Sequence, residues 1–261
     1  MVSRRPSRPL EGRRVLVTRS PERAGALSSL LRARGAIPVE APAIAVTPSR
    51  SGPFAAAIRE AAEAGFDWVA FTSAEGVEAW FARAATLGLD ARGLRAEVAA
   101  VGPGTAEALR ERGIIADLVP RTYTTEALGR AFPGGSGRVL LPRADIAPAE
   151  LEDLLEAKGW NVARVDAYRS RSVRSLPAKV RAALARGEID AVTFTSASTV
   201  EGFVAAAGVP SGPAVACIGP VTARRAREAG FRVAAVARPH TLEGLVEAVE
   251  RTLARRRTVS G

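Results

Sequence analysis

Hydroxyl side chains follow four short apolar segments, two in each half of the chain. Phe71-Thr72-Ser73 and Phe194-Thr195-Ser196 share one pattern, and Gly102-Pro103-Gly104-Thr105 and Gly219-Pro220-Val221-Thr222 share another. Serine and threonine often cap helices at such positions, since their oxygens accept hydrogen bonds from free backbone N–H groups. Several helix N-termini facing one cleft would also offer donors and positive dipole ends to an anion. The hydroxyls of these four segments, together with Thr124 and Thr241 at the starts of the next helices, are therefore candidate anion ligands.

Two arginines stand at the ends of two further apolar segments. Arg19 follows Val15–Thr18, and Arg143 follows Val139–Leu141 after one proline. A guanidinium can bind a carboxylate through two parallel hydrogen bonds. The pattern therefore predicts two more ligands for a small polyanion, and a surface arginine or a buried structural ion pair is the alternative for each.

The side chains that usually drive catalysis are scarce. His240 is the single histidine and Cys217 the single cysteine, which excludes an internal disulfide and a multi-cysteine metal site. We expect His240 to lie in a helix-cap region and Cys217 to be inert core. Gly102-Pro103-Gly104 lacks the third glycine of a dinucleotide loop, and the chain has no Walker A sequence. We therefore expect no cofactor and no metal, and a reaction that depends on positioning and electrostatics.

The composition is that of a globular protein with a basic surface. Of 261 residues, 47% are hydrophobic and 25% charged, and the formal net charge is +10. Such a surface suits an acidic small molecule, a membrane or a nucleic acid. No segment reaches the roughly 18 apolar residues of a membrane helix, and no signal-peptide pattern is present, so we expect a cytoplasmic protein. Part of the charge lies in two tails that we expect to be solvated, with Arg4, Arg5 and Arg8 at one end and Arg255, Arg256 and Arg257 at the other.

Side-chain amides are almost absent from the chain. It has no glutamine, and Asn161 is its only asparagine. Thermophilic proteins avoid such thermolabile residues, which favours a thermophilic source. A bias towards GC-rich codons would produce the same pattern.

The chain repeats itself at nearly constant offsets. Asp67–Ala74 recurs as Asp190–Ala197 at an offset of 123, Val98–Pro103 as Val215–Pro220 at 117, and Arg14–Arg19 as Arg138–Arg143 at 124. Repeats of this length, in the same order, indicate a duplicated ancestor.

Each copy alternates short apolar runs with longer amphipathic patterns. The runs Val15–Thr18, Val69–Thr72, Val98–Val101 and Val139–Leu141 predict strands buried on both faces, as in parallel sheets. The amphipathic stretches predict helices, the first of them closed by Gly35. Strand–helix alternation of this kind predicts doubly wound α/β domains.

Two segments interrupt the alternation and are candidate linkers. Residues 40–48 are extended and bracketed by prolines, and residues 164–172 alternate apolar with polar side chains, which predicts a strand. If both cross between domains, they can pair as a two-stranded linker. Alternatively, they are ordinary edge strands of two tandem domains, and the residues alone favour neither arrangement.

In their order along the chain, these residues resemble the uroporphyrinogen-III synthase family. The resemblance rests on Val15–Arg19, Phe71–Ala74 with Val77, Val101-Gly102 with Thr105, Leu141–Arg143, Val165–Tyr168, Phe194–Ser196 and Ile218–Ala223. It runs from about Gly12 to Leu253, and its specificity comes from the ordered set, because each motif alone is short. The chain departs from the pattern at Glu75, where some relatives carry a basic residue.

The resemblance implies an architecture of two flavodoxin-like, doubly wound parallel-sheet domains joined by a two-stranded β linker. The first domain would be discontinuous and contain residues 1–40 and 173–261. The second would contain residues 50–163, and residues 41–49 and 164–172 would be the linker strands.

The resemblance also implies a lyase that cyclises hydroxymethylbilane, an open-chain tetrapyrrole with eight carboxylates, to uroporphyrinogen III. Ring A loses water to give an azafulvene, ring D attacks through its substituted carbon, and a spiro intermediate fragments and recloses with ring D inverted. The important tyrosine of the family falls on Tyr168, which would assist departure of the ring A hydroxyl. The family's cleft hydroxyls fall on Thr72, Ser73, Thr105, Ser196 and Thr222.

The partner implied by the resemblance is hydroxymethylbilane, handed over to a monomer by hydroxymethylbilane synthase, with no nucleic acid and no membrane involved. A hinged two-domain protein that binds a polyanionic small molecule without catalysis is the alternative, because two α/β domains and a paired linker describe it equally well. The basic charge also suits a nucleic-acid-binding regulator. The missing helix-turn-helix segment and an aromatic content of 5% argue against a regulator of that kind.

Overall fold

The computed structural model describes residues 8–259 and divides into two compact units. Unit 1 comprises the described residues up to Ala45 and from Arg171 onwards, and unit 2 comprises Val46–Ser170. Each unit contains a five-stranded sheet. Of the predicted solvated tails, Arg4, Arg5 and the side chains of residues 255–257 lie outside the described part of the chain.

Strands and helices alternate along the described chain. The strands are β1 (Arg14–Val17), β2 (Ile37–Glu40), β3 (Ile44–Pro48), β4 (Trp68–Phe71), β5 (Glu97–Ala100), β6 (Arg138–Ala144), β7 (Asn161–Ser172), β8 (Ala191–Phe194), β9 (Ala214–Cys217) and β10 (Val233–Val236). The helices are α1 (Pro21–Ala33), α2 (Gly52–Ala62), α3 (Ala74–Thr86), α4 (Pro103–Arg110), α5 (Thr125–Ala131), α6 (Glu150–Glu156), α7 (Ala178–Ala185), α8 (Ala197–Ala207), α9 (Pro220–Glu228) and α10 (Leu242–Val259). A short 3-10 turn spans Ala91–Gly93.

Four strands have the same order in the two sheets, β2-β1-β8-β9 in unit 1 and β7-β6-β4-β5 in unit 2. In unit 1 the order is β10-β9-β8-β1-β2, with every neighbouring pair parallel. In unit 2 it is β3-β7-β6-β4-β5, with β7, β6, β4 and β5 all parallel. A parallel bridge from Ala99 to Leu118 adds a pairing outside β5, where unit 1 has β10. Both units therefore have the flavodoxin-like order, and the predicted fold class is confirmed.

Each unit is assembled from parts of both sequence repeats. The first repeat supplies β1, α1 and β2 to unit 1 and its remaining strands to unit 2. The second repeat supplies β6, α6 and β7 to unit 2 and its remaining strands to unit 1. The chain consequently passes between the units twice, at residues 45–46 and 170–171.

The two crossing segments pair with each other. The backbone N–H of Ser49 donates to the Ala167 carbonyl at 2.8 Å, and that of Val173 donates to the Ala43 carbonyl at 3.1 Å. Residue numbers rise along β3 as they fall along β7, so the pair is antiparallel. The two-stranded linker is confirmed, and the alternative of tandem domains is wrong. That residues 1–40 with 173–261, and residues 50–163, form separate domains stays a prediction.

The central strands carry the cores because both of their faces are covered. Every residue of β4, β8 and β9 is buried. In unit 2, Phe71 packs edge-to-face on Trp80 on one side of the sheet, while Trp68 packs against Phe132 on the other. Burying each such aromatic side chain contributes about 1.5–3 kcal/mol, which fixes the strand ends that carry the candidate site.

For the four apolar runs the observed strands begin one residue earlier than predicted, and β6 continues to Ala144, beyond the predicted end at Leu141. The run Val69–Thr72 predicted a strand, and the ladder instead spans Trp68–Phe71, because Thr72 already belongs to the turn into α3. Gly35 follows the last turn of α1 with φ +88, a conformation open to glycine. Its predicted role in closing this helix is confirmed.

Candidate functional site

Four candidate residues of unit 2 lie at the carboxyl edge of its parallel sheet. Thr72 and Ser73 follow β4, and Ser73 caps α3 by accepting from the Gly76 N–H at 3.0 Å. Arg143 is the penultimate residue of β6. Tyr168 lies in β7, where it pairs with Ala144 at the end of β6. Ligands of open α/β sheets bind at this edge.

Tyr168 and Ser73 are in direct contact. The phenol oxygen of Tyr168 lies 2.8 Å from the Ser73 Oγ, and the tyrosine is 8% exposed. The backbone of β7 is held here as well, since the Asp145 N–H donates to the Tyr168 carbonyl at 3.1 Å. A residue of β7 and the cap of α3, distant in sequence, thus form one hydrogen-bonded pair.

The surroundings of Tyr168 keep its hydroxyl protonated. Burial, together with the negative charge of Glu75, raises the pKa of Tyr168 to about 12. The hydrogen bond with Ser73 and the positive charge of Arg143 act in the opposite direction, and Asp145 adds a smaller upward effect. At neutral pH the group is a phenol that has a proton to donate.

Arg143 is 3% exposed and bonded within unit 2. Its Nη1 donates to the Pro148 carbonyl at 2.7 Å and to the carboxylate of Glu152. Glu152 also lies 3.4 Å from a guanidinium nitrogen of Arg164. Burial lowers the pKa of Arg143, and the charge of Glu152 opposes that effect. This is the buried ion pair that the sequence left open as an alternative, and a two-point carboxylate clamp by Arg143 would compete with the Glu152 contact.

The candidate residues of unit 1 occupy equivalent positions on its own sheet. Arg19 follows β1 and is half-buried. Ser196 caps α8, and its Oγ accepts from the Thr199 N–H at 3.2 Å. Thr222 lies in the first turn of α9 and is 5% exposed, as Thr105 is in the first turn of α4. Each unit therefore brings its own set of hydroxyls to one sheet edge.

The surroundings of Cys217 and His240 indicate structural roles for both side chains. Cys217 is buried in β9, where burial raises its pKa to about 12, so it lacks the thiolate character of a nucleophile. The Nδ1 of His240 lies 2.7 Å from the Ala237 carbonyl, in the turn before α10. Among residues 8–259, no group of histidine, cysteine, aspartate and glutamate side chains could hold a metal ion. Within the same part of the chain, no helix has the length and apolar character to cross a membrane.

Sequence reasoning missed three residues of this site. Glu152 and Arg164 carry no local signal, because only the packing of α6 against β6 and β7 brings them to Arg143. Gly76 could have been found from the repeat, since an offset of 123 places it opposite Thr199.

Comparison with known proteins gives one consistent result. A family model described as uroporphyrinogen-III synthase HemD matches residues 25–247. The uroporphyrinogen-III synthase of Synechococcus elongatus is 34% identical over 255 residues, which cover 93% of this chain and 96% of that protein. The porphyrin biosynthesis protein HemD of Ruminiclostridium josui is 36% identical over 247 residues. These cover 92% of this chain and 48% of that protein, so the chain spans about half the length of this relative.

A solved structure agrees with the sequence matches. The structure of a mutant uroporphyrinogen III synthase from the extremely thermophilic bacterium Thermus thermophilus is similar, with a TM-score of 0.66 and 27% sequence identity. The similarity covers 94% of this chain and 100% of that one. With the family match over most of its length and a relative covered almost end to end, this chain belongs to the uroporphyrinogen-III synthase family.

Proposed function

We propose that this chain is a lyase that cyclises hydroxymethylbilane to uroporphyrinogen III, with inversion of ring D and loss of water. The observation that carries the proposal is the protonated Tyr168 phenol, held by Ser73 at the carboxyl edge of a flavodoxin-like sheet. The family membership supplies the substrate, and the phenol supplies a chemical group for its first step.

That first step is the departure of the ring A hydroxyl. Tyr168 donates its proton to this hydroxyl as the C–O bond breaks, so that water leaves and a protonated azafulvene, a cation that keeps the pyrrole N–H, forms beside the phenolate. The negative charge left on the phenol oxygen is stabilised if Ser73 donates its own O–H to it. General acid assistance of this kind typically contributes about 10²–10⁴-fold in rate.

The later steps conserve atoms and return the proton. Ring D attacks the azafulvene through its substituted carbon, the spiro intermediate fragments, and the ring recloses with ring D inverted. The final loss of a proton from carbon restores the Tyr168 phenol, and the net change is the loss of one water. Since the azafulvene is reactive by itself, the protein contributes mainly by holding the chain of rings in one conformation.

The candidate hydroxyls would bind the substrate carboxylates together with helix N-termini. Thr72, Ser73 and Thr105 belong to unit 2, and Ser196 and Thr222 belong to unit 1. Each hydrogen bond contributes about 0.5–1.5 kcal/mol, so the loss of one should be tolerated.

The two candidate arginines, Arg19 and Arg143, would have different roles in binding the substrate. We expect half-buried Arg19 to bind a carboxylate directly. Arg143 would act from the interior through its positive charge, because its burial and its contact with Glu152 restrict a direct clamp.

A coupled assay tests the activity. Hydroxymethylbilane is generated in the cuvette by its own synthase, and the products are oxidised and separated as type I and type III isomers. We expect the protein to accelerate cyclisation and to give the type III isomer. A protein that binds the bilane but leaves the spontaneous type I product unchanged would be the hinged binding protein instead.

The remaining proposals concern the partners and the setting. We propose that the chain acts as a monomer and receives its substrate directly from hydroxymethylbilane synthase, because an unstable intermediate is best protected by transfer. Light scattering would give the molar mass, and an excess of inactive Tyr168→Phe protein would trap released substrate if transfer is not direct. A cytoplasmic location, a thermophilic source and the absence of nucleic-acid partners stay predictions of the sequence.

A further inference from the structure

The third residue of α3, Gly76, lies close to β6 and to the Tyr168 ring of β7. A β-carbon built on Gly76 would lie 3.3 Å from the Pro142 carbonyl oxygen, 3.3 Å from the Ser73 Oγ and 3.8 Å from the Tyr168 Cε1. Gly76 does not have a positive φ, so its backbone conformation is open to any residue. Glycine is favoured here because space is limited: a β-carbon would crowd a β6 carbonyl, the cap serine and the tyrosine ring.

The equivalent residue of unit 1 shows what a side chain does at this position. Thr199 is the third residue of α8, and its Oγ1 accepts from the Ser196 N–H at 3.2 Å while donating to the Ser196 carbonyl at 2.7 Å. The Ser196 Oγ lies 2.9 Å from the Ser198 Oγ, so it is bonded within its own helix turn. The Thr199 hydroxyl therefore closes the cap on the Ser196 backbone, and the Ser198 hydroxyl helps to hold the Ser196 Oγ within the helix.

Gly76 leaves the same cap open in unit 2. The Ser73 Oγ still accepts from the Gly76 N–H at 3.0 Å, and its other hydrogen-bonding capacity goes to Tyr168 at 2.8 Å. A hydroxyl has one donor and two acceptor positions, so the cap bond leaves the Ser73 O–H available to the phenol oxygen.

We infer that Gly76 is a positioning residue for Tyr168: by lacking a side chain, it lets α3 approach β6 and β7 closely enough for the Ser73 hydroxyl to hold the phenol. Gly76 has no group that touches the reacting atoms, and it acts through Ser73. The inference rests on the proposed function for its effect on rate, but the contact itself can be tested without any substrate.

The first test separates positioning from folding. In Gly76→Ala the new methyl group must displace the Ser73 oxygen or the Pro142 carbonyl, and small misplacements at a reacting group can cost up to about 10²-fold in rate. We expect kcat to fall by about 10- to 100-fold, with little change in KM. The melting temperature should stay near that of the wild type, because alanine is the better helix former and offsets part of the crowding.

Gly25→Ala is the matched control for this test. Gly25 lies inside α1, and a β-carbon built there has no atom within 4 Å. It therefore gives the same gain in helix propensity without crowding, and we expect wild-type kcat. Equal kcat in Gly76→Ala and Gly25→Ala would overturn the inference.

The second test observes the phenol directly. The chain has two tyrosines, so Tyr123→Phe protein labelled with 3-fluorotyrosine gives a single fluorine resonance, that of Tyr168. In this background Ser73→Ala marks the resonance position of a phenol that has lost its serine. Gly76→Ala should move the resonance towards that position, and Gly25→Ala should leave it where it is.

The two readouts keep the inference apart from the proposed function. A Gly76→Ala resonance that coincides with that of the Gly76 protein would overturn the positioning role, whatever the rate. If the wild type gives no type III isomer, the proposed activity fails, while the fluorine spectra still decide the contact. If Gly76→Ala melts at a lower temperature, spectra recorded well below that temperature apply to the folded protein.

Discussion

The two copies of one helix cap, at the start of α3 in unit 2 and of α8 in unit 1, have diverged in opposite directions. Both follow a Phe-Thr-Ser sequence at the end of a buried central strand, and in both the serine accepts from the third N–H of the helix. In α8, Thr199 completes the box and holds Ser196 within the helix. In α3, Gly76 leaves the box open, and Ser73 holds Tyr168 instead.

The strand beside each cap follows the same division. An offset of 124 places Ile44 opposite Tyr168, and Ile44 is 5% exposed in unit 1. It packs beside α8 at Gly202, where an added β-carbon would lie 2.9 Å from the Ile44 Cγ2. One copy thus became an apolar contact and the other a polar pair with a transferable proton. The duplication produced two equivalent strand positions, and only the position in unit 2 carries a phenol.

Two equivalent helix positions, Glu152 in α6 and Ser28 in α1, differ between the units as well. Behind Arg143 lies buried Glu152, and the residue opposite Glu152 in unit 1 is Ser28, which donates to Glu40 at 2.6 Å. Glu152 is 11% exposed, whereas the Glu40 side chain is 42% exposed and lies 3.9 Å from Arg32. A buried carboxylate that contacts Arg143 in unit 2 is therefore replaced in unit 1 by a buried serine that bonds a partly exposed carboxylate.

The largest fall in kcat should come from removing the Tyr168 hydroxyl, which has no counterpart in unit 1. Tyr168→Phe keeps the buried ring and deletes one oxygen, so the fold should persist while kcat falls by about 10²–10⁴-fold. Spontaneous closure would then compete, and the ratio of type III to type I product should fall. The coupled assay measures both, with half-exposed Tyr123→Phe as the control that should retain wild-type turnover. Wild-type turnover in Tyr168→Phe would contradict a proton-donating role, and catalysis would then depend only on how the protein positions its substrate.

Next in size is the buried pair behind Arg143. Glu152→Gln removes the negative charge and leaves the guanidinium buried without it, which should cost about 3–5 kcal/mol of unfolding free energy. Glu40→Gln in unit 1 should cost less, about 1 kcal/mol, because Glu40 and Arg32 are exposed and the glutamine oxygen can still accept the hydrogen bond from buried Ser28. Urea unfolding of both variants measures the difference. Equal losses would mean that the two pairs do not differ as their burial indicates.

A smaller effect is expected from opening the cap of unit 1. Thr199→Ala removes two short-range hydrogen bonds at the start of α8 and should reduce the unfolding free energy by about 1 kcal/mol. Turnover should change little, since Ser196 does not hold a tyrosine. A fall in kcat as large as that of Gly76→Ala would show that the caps are not functionally divided. Thermal and urea unfolding, recorded beside the rate, make the comparison.

The smallest effect is expected from pH, since protonation of Tyr168 should not change the rate between neutral pH and about pH 10. Since burial raises the pKa of Tyr168 to about 12, the proton-donating form is fully populated from neutral pH up to about pH 10. The rate should then show no alkaline fall that depends on Tyr168 in this interval. The phenol also favours the folded state, a contribution present below the ordinary tyrosine pKa near 10 and lost as the pH rises towards 12. A fall near pH 8 or 9 that disappears in Tyr168→Phe would contradict the burial of the group.

The local patterns of the chain determined the parts of this protein. Apolar runs such as Val69–Thr72 located the starts of the strands to within about one residue, because burial on both faces requires an unbroken apolar run. Gly35 and the cap serines located helix ends, because caps satisfy backbone groups a few residues away. The repeat and the ordered motifs determined the fold class and the family.

Only the tertiary structure decided how these parts combine. Strand pairing joins the start of each repeat to the end of the other, and nothing within a strand states its partner. Ser73 and Tyr168 are 95 residues apart, and Arg143 meets Glu152 because α6 packs back on β6. Burial, hydrogen bonding and proton affinity depend on neighbours brought together across the fold. The sequence could therefore name Tyr168 and Arg143, and the packed structure set the protonation of one and enclosed the other.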